Sequence, residues 1–73
     1  MKHIGETVTY VDHVGVEHQA LLTAVWDETE IPTVNLVYVS DKEDERDQYG
    51  RQIRRETSIV HQSRTTAPGF FWK

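Results

Sequence analysis

Alternation of apolar and polar positions with a period of two runs through most of the chain, and it predicts β-strands. The first predicted strand covers residues 6–12 and places Val8 and Tyr10 on one face. Gly15 then permits a tight turn, so the second predicted strand, residues 18–26, returns antiparallel and forms a hairpin with the first. Apolar side chains occupy both faces of this second strand, with Ala20, Leu22, Ala24 and Trp26 on one of them.

Two further strands are predicted after the polar segment 27–32, whose closing proline is typical of a loop. Residues 33–40 form the stronger strand, with apolar side chains on both faces, and we expect it to be central and covered on both sides. Residues 51–60 alternate charged and apolar positions, as a half-exposed or edge strand does. Four or five short strands with tight turns and no helix predict an all-β fold, a small SH3-like or OB-like antiparallel barrel.

The last segment, residues 61–73, combines a polar linker, a Pro-Gly turn and three successive aromatic residues, Phe70, Phe71 and Trp72. Three aromatic side chains on a free tail would be unusual. We therefore expect them either to dock back and close the sheet or to insert into a partner. The prediction is a single domain, residues 1–73, with a C-terminal docking or partner-binding tail.

Size and charge narrow the classes of function. A chain of 73 residues has a small core, and such short domains usually gain stability from disulfides, a metal or assembly. Cysteine is absent, which leaves assembly as the expected source. The net charge of −4 argues against a globally basic nucleic-acid binder or a peripheral membrane protein. No apolar run reaches the ~18 residues that span a bilayer and no signal peptide is recognisable, so we expect no membrane partner.

Charge is unevenly distributed along the chain. Five acidic residues crowd segment 41–47, which is predicted to be a solvated loop. The stretch after it carries four arginines against one glutamate, namely Arg51, Arg54, Arg55 and Arg64 against Glu56. Small β-barrels often stack bases on aromatic residues beside arginines, so a nucleic-acid-binding barrel is one alternative. The net negative charge and the acidic loop make nucleic acid the less favoured partner.

The sequence offers little catalytic chemistry. His13 and His18 flank Gly15, and a two-residue loop there would place them opposite each other, as weak candidates for a metal site. Zinc needs three or four ligands, so a polar cross-strand pair is the favoured interpretation, and neither a metal nor another cofactor is predicted. The chain has no cysteine, no recognisable nucleophile motif and no phosphate-binding glycine loop, so it is predicted not to be an enzyme.

Four segments together carry a resemblance to a known family: GETVTYVDHVG, HQALLTAVWDE, TVNLVYVSDKE and the terminal PGFFWK. In this order they resemble a family of short proteins encoded by tailed bacteriophages, in which three apolar strands and a Pro-Gly-aromatic ending recur. Two features depart from that family. Phe71 and Trp72 stand where its members tend to carry tryptophans, and the acidic segment 41–47 has no place in the pattern.

The resemblance implies an SH3-like virion or assembly protein that is present in many copies and has no catalytic residues. The expected role is a minor capsid or decoration protein on the major capsid protein lattice, in a virion assembled in the host cytoplasm. A head–tail connector, neck or tail adaptor protein is the alternative. The expected partner contacts are three aromatic anchors and three charged contacts to an acidic capsid surface: Phe70, Phe71, Trp72, Arg51, Arg54 and Arg55.

Overall fold

The structure, a computed structural model, describes residues 2–42 and 44–73, with only the backbone of Asp47. Five strands close into one barrel: β1 (Thr7–Val11), β2 (Glu17–Val25), β3 (Val34–Val39), β6 (Ile53–His61) and β7 (Phe71–Trp72). Between β3 and β6, the chain forms a hairpin of β4 (Arg46–Asp47) and β5 (Gly50–Arg51), and a 3-10 helix (Gln62–Arg64) follows β6. The predicted small all-β barrel is therefore confirmed. Within the described ranges, no helix is long and apolar enough to cross a membrane.

The C-terminal tail closes the barrel. β7 pairs antiparallel with β1 and parallel with β6, so it joins the two ends of the antiparallel sheet β1-β2-β3-β6. Lys73 and Thr9 exchange two backbone hydrogen bonds, at 2.9 and 3.2 Å, and the amide of Phe70 donates to the carbonyl of Val11 at 2.9 Å. Of the two expected arrangements of the tail, the fold has the one in which the tail docks on its own sheet.

Side chains that point into the barrel form the core: Val8, Tyr10, Ala20, Leu22, Val34, Leu36, Ile59 and Trp72. The shared face predicted for Val8 and Tyr10 is correct. A β-bulge between Leu22 and Ala24 shifts the register of β2, so the predicted alternation does not hold to the end of that strand. Trp26, predicted on the face of Leu22, is exposed, and its indole N–H donates to Asn35 Oδ1 at 2.9 Å.

Strand β3 is central, but it is covered on one side only, contrary to the prediction. Its inner residues Val34 and Leu36 are fully buried, whereas Val39 on the outer face is 58% exposed. A closed barrel formed by a single sheet has no second layer to cover its outside. The outward apolar side chains of β3 therefore face solvent.

The turn between β1 and β2 is longer than the predicted two-residue loop. Pairing of the two strands ends at Val11 and Glu17, and residues 12–16 form the connection. His18 consequently lies opposite Tyr10, and the predicted pairing of His13 with His18 is wrong.

The predicted acidic loop, residues 41–47, is partly organised. Glu43 and the side chain of Asp47 lie outside the described residues. Arg46 begins β4, so the segment leads into the β4–β5 hairpin. The segment is anchored at Glu45, whose backbone carbonyl accepts a 2.9 Å hydrogen bond from the amide of Gln52.

Candidate functional site

One end of the barrel interior is polar and opens into a cleft of about 230 Å³. The strand registers bring Tyr10 from β1, Tyr38 from β3 and Glu56 from β6 to this end. Further polar and charged side chains line the cleft, among them Asp12, Ser40, Glu45 and Arg54. We call this cleft the barrel mouth.

Aromatic rings form one wall of the barrel mouth. The ring centroid of Tyr38 lies 4.4 Å from that of His18 and 5.1 Å from that of Tyr10. The hydroxyl of Tyr10 donates to Glu56 Oε2 at 3.4 Å, which is long for a hydrogen bond between two oxygens. Burial, and then the negative charge of Glu56, raise the pKa of Tyr10 and of Tyr38. Both hydroxyls are therefore neutral at physiological pH, beside a negatively charged carboxylate.

Asp12 connects the β1–β2 loop to the barrel mouth. Its Oδ1 accepts hydrogen bonds from the amides of Val14 and Val16 at 3.0 and 2.9 Å, and His18 Nε2 donates to its Oδ2 at 2.7 Å. The side chain of His18 is only 6% exposed, because Tyr10 and Tyr38 pack on its ring. The Asp12–His18 pair thus fixes the loop, and only its Asp12 side reaches the cleft.

Asp12 is expected to make the stability of the fold depend on pH. Burial alone would raise the pKa of Asp12, but hydrogen bonds from His18, Val16 and Val14 outweigh burial and hold the pKa below its ordinary value of 3.8. A carboxyl group whose pKa is lowered by folding stabilises the protein above its unfolded pKa, and this stabilisation is lost as the pH falls through the folded pKa.

We therefore expect Asp12→Asn to lower the free energy of unfolding at neutral pH, because the ionised carboxylate is the better acceptor for His18. The gap between the wild type and the variant should close as the pH falls below about 4. Chemical unfolding of both proteins at a series of pH values between about 7 and about 3 measures the gap. A gap that stays constant over this range would contradict the assignment.

The three predicted aromatic anchors lie in different environments. Trp72 is 3% exposed, and its indole N–H donates to the carbonyl of Pro32 at 2.9 Å. It belongs to the core and presents no surface to a partner in this fold, which corrects its prediction as an anchor. Phe71 is half-buried in β7. Phe70 is 53% exposed at the barrel mouth, where it stacks on His13, and a partner contact there stays a prediction.

The three predicted arginine contacts do not form one surface. Arg54 lines the barrel mouth and forms an ion pair with Oε2 of Glu45. The Oε1 atom of Glu45 accepts a hydrogen bond from the hydroxyl of Ser40. The hydrogen bond from Ser40, and then the charge of Arg54, hold the pKa of Glu45 below its usual range. Arg55 is exposed on the outside of β6, and Arg51 lies in β5.

The histidines considered for a metal site are separated by the loop geometry. His13 stacks on Phe70 with 5.8 Å between ring centroids, whereas His18 is bonded to Asp12 inside the barrel end. In the part of the chain that the structure describes, no group of three or more histidine, cysteine or acidic residues is arranged to hold a metal ion.

A second candidate surface lies on the outside of the barrel. Four aliphatic side chains of β2, β3 and β6 are adjacent there, and we call them the aliphatic strip: Leu21, Val37, Val39 and Ile53. Leu21 pairs with Val37, and Val39 pairs with Ile53. Leu21 is 43% exposed and Ile53 is 67% exposed. Single exposed aliphatic residues are ordinary, but neighbours on three adjoining strands form a continuous apolar patch.

The sequence carries a signal for the aliphatic strip, because the second and third strands have apolar residues on both faces. In β3 this pattern predicts coverage on both sides, which the structure does not have. A chain of 73 residues that closes a barrel has too few remaining residues to build a second layer. The outward aliphatic residues of β2 and β3 therefore have no layer to cover them.

No protein-family profile, curated protein or solved structure matches the chain.

Proposed function

We propose that the protein is a non-enzymatic binding module that docks on a repeating protein surface through the aliphatic strip. The observation that carries this proposal is the exposure of adjacent aliphatic side chains on β2, β3 and β6. Patches of this kind on a folded domain are typical of protein interaction sites. Arg55 pairs with Val37 in the strand register and borders the strip, so the complementary surface is apolar with an acidic margin.

The sequence pattern suggests which repeating surface this is. The resemblance to short tailed-bacteriophage proteins favours the major capsid protein lattice, and the proposed role is that of a minor capsid or decoration protein in a virion. Each copy would bind through a small contact. Many equivalent contacts on a lattice would hold a layer of such modules more firmly than any single contact.

The small size of the domain favours a partner that adds buried surface. A domain of this size buries only about 60% of the surface of its unfolded chain, and it has no disulfide. Binding stabilises the folded state by mass action, because the partner binds the folded chain and not the unfolded one. A lattice that covers the aliphatic strip would therefore add burial that the barrel lacks on its own.

The double variant Val39→Thr/Ile53→Thr tests the aliphatic strip. Threonine keeps the β-branched shape that suits a strand but places a hydroxyl where the partner would desolvate it. We expect the barrel to fold normally and binding to capsid shells to weaken about tenfold or more. Co-sedimentation of the purified protein with shells assembled from a candidate major capsid protein measures the binding.

A matched control is available, since Ile4 and Val14 are exposed aliphatic residues outside the strip. Ile4→Thr/Val14→Thr should sediment with the shells as the wild type does. If the strip variant also sediments like the wild type, the strip is not the docking surface. A closed ring of fixed copy number would place the protein at the head–tail junction, and salt-sensitive binding to single-stranded DNA without binding to shells would replace the proposal by the nucleic-acid alternative.

A further inference from the structure

The barrel mouth is a cleft whose chemistry differs from that of the aliphatic strip. We infer that it binds a cationic side chain, the ammonium of a lysine or the guanidinium of an arginine, presented by a protein partner. This inference goes beyond docking by the aliphatic strip and does not depend on it.

The charge of the barrel mouth favours a cation. Four carboxylates line it against one lysine and one arginine: Asp12, Asp41, Glu45 and Glu56 against Lys42 and Arg54. The arginine is already bonded to Glu45, and Asp12 is bonded to His18 and to two backbone amides. Within the described part of the chain, Glu56 accepts only the 3.4 Å hydrogen bond from Tyr10. Its carboxylate therefore has acceptor capacity left for a ligand.

The hydroxyl of Tyr10 lies beside Glu56 and offers a second oxygen to a donor that binds this carboxylate. Tyr10 is 1% exposed, so its hydroxyl depends on partners inside the cleft. Its hydrogen bond to Glu56 is longer than the ~2.5–3.0 Å that is usual between two oxygens. A cation donor between these groups would bond to the carboxylate and to the hydroxyl oxygen together, which is the arrangement that charged hydrogen bonds favour.

The rim of the barrel mouth adds an aromatic face. Phe70 is 53% exposed, with its ring stacked on His13 at 5.8 Å. An aromatic face beside a carboxylate attracts the ammonium or guanidinium of a long side chain, whose methylene stem packs on the ring. The cleft of about 230 Å³ is large enough for one such side chain.

Short peptides provide the test. The probes are acetyl-Gly-Arg-Gly-amide, its lysine counterpart, and a citrulline counterpart that keeps the shape of arginine without its charge. We expect the two cationic peptides to bind weakly at low salt and to shift the amide resonances of Tyr38, Glu56 and Phe70 in NMR titrations. Added salt should weaken the binding, and the citrulline peptide should not shift these resonances.

Glu56→Gln is the decisive variant because it removes the charge and keeps the size of the side chain. We expect it to bind the cationic peptides at least about tenfold more weakly. Glu28→Gln is the matched control. It removes the same charge from an exposed residue of the β2–β3 connection, away from the mouth. It should bind the peptides like the wild type.

The melting temperature of each variant shows whether the barrel is intact. Should Glu56→Gln fail to fold, Phe70→Leu removes the aromatic face at an exposed position and is expected to weaken binding severalfold. The inference is overturned by an absence of shifts at the mouth with about 10 mM cationic peptide, by equal shifts with the citrulline peptide, or by a folded Glu56→Gln or Phe70→Leu protein that binds like the wild type. None of these outcomes bears on binding by the aliphatic strip, which is measured with capsid shells.

Discussion

Replacing Trp72 with alanine is expected to remove a large part, or all, of the stability of the barrel. The indole is 3% exposed, packs in the core and donates to the carbonyl of Pro32, so the variant loses both packing and a buried hydrogen bond. Truncation of a buried aromatic residue costs about 3–5 kcal/mol. A domain of this size has a total stability of about 4–11 kcal/mol. The variant should therefore lose a large part, or all, of its stability.

Urea unfolding followed by circular dichroism measures this loss, with two comparison variants. Trp72→Phe keeps most of the ring volume and removes the hydrogen bond to Pro32, so we expect a smaller loss, of about 1–3 kcal/mol. Phe70→Ala changes an exposed ring and should cost less than either. If Trp72→Ala were as stable as Phe70→Ala, Trp72 would not close the barrel.

This expectation changes how the tail can be tested as a docking element. A loss of partner binding in Trp72→Ala would not separate docking from folding, because this variant destabilises the whole barrel. Phe70 is the tail residue with an exposed ring, so its replacement separates docking from folding. A stable Phe70→Ala protein that no longer binds its partner would identify the tail as a contact, whereas normal binding would leave the aliphatic strip as the candidate.

The strands were predictable because their alternation is short-range information. Val8 and Tyr10 alternate with threonines, and the structure places both side chains in the core. Val34 and Leu36 follow the same rule in β3. Inward and outward positions follow from the period of two whenever a strand has no irregularity.

The features that depart from simple alternation were not predictable in this way. The β1–β2 connection is longer than a two-residue turn because Asp12 satisfies the amides of Val14 and Val16 with its side chain. The bulge between Leu22 and Ala24 has no turn residue to announce it. Each irregularity changes which side chains face each other. The longer β1–β2 connection places His18 opposite Tyr10, so the predicted pairing of His13 with His18 is wrong.

The barrel mouth could not be predicted because its residues come from distant parts of the chain. Tyr10, Tyr38 and Glu56 lie on three different strands and meet only through the registers of those strands. In the sequence, Glu56 is one charge among several in an alternating strand. The sequence leaves the docking of the tail open for a similar reason, because three aromatic residues suit both a core and an interface.

Gly69 is the position at which the sequence allows the tail to dock. A Cβ atom there would lie 2.0 Å from the carbonyl oxygen of Asp12 and 3.0 Å from the Cα of His13. Both contacts are with backbone, so no side-chain rotation can relieve them. The next residue, Phe70, donates its amide to Val11, and β7 follows directly, so a displaced Gly69 would carry the closing strand away from β1.

We expect Gly69→Ala to cost about 3 kcal/mol or more, at or beyond the upper end of ordinary overpacking, because the Asp12 backbone is held by the turn hydrogen bonds to Gly15 and Val16 and the tail is held by the Phe70–Val11 bond. Gly5→Ala is the control: a Cβ there has nothing within 4 Å, but the φ of +92° strains any residue with a side chain, at a cost of about 1 kcal/mol. Urea unfolding of both variants compares a clash between backbones with conformational strain alone. A Gly69→Ala protein as stable as Gly5→Ala would mean that the tail does not lie against the β1–β2 loop. A large difference would establish that the barrel closes only because residue 69 has no side chain.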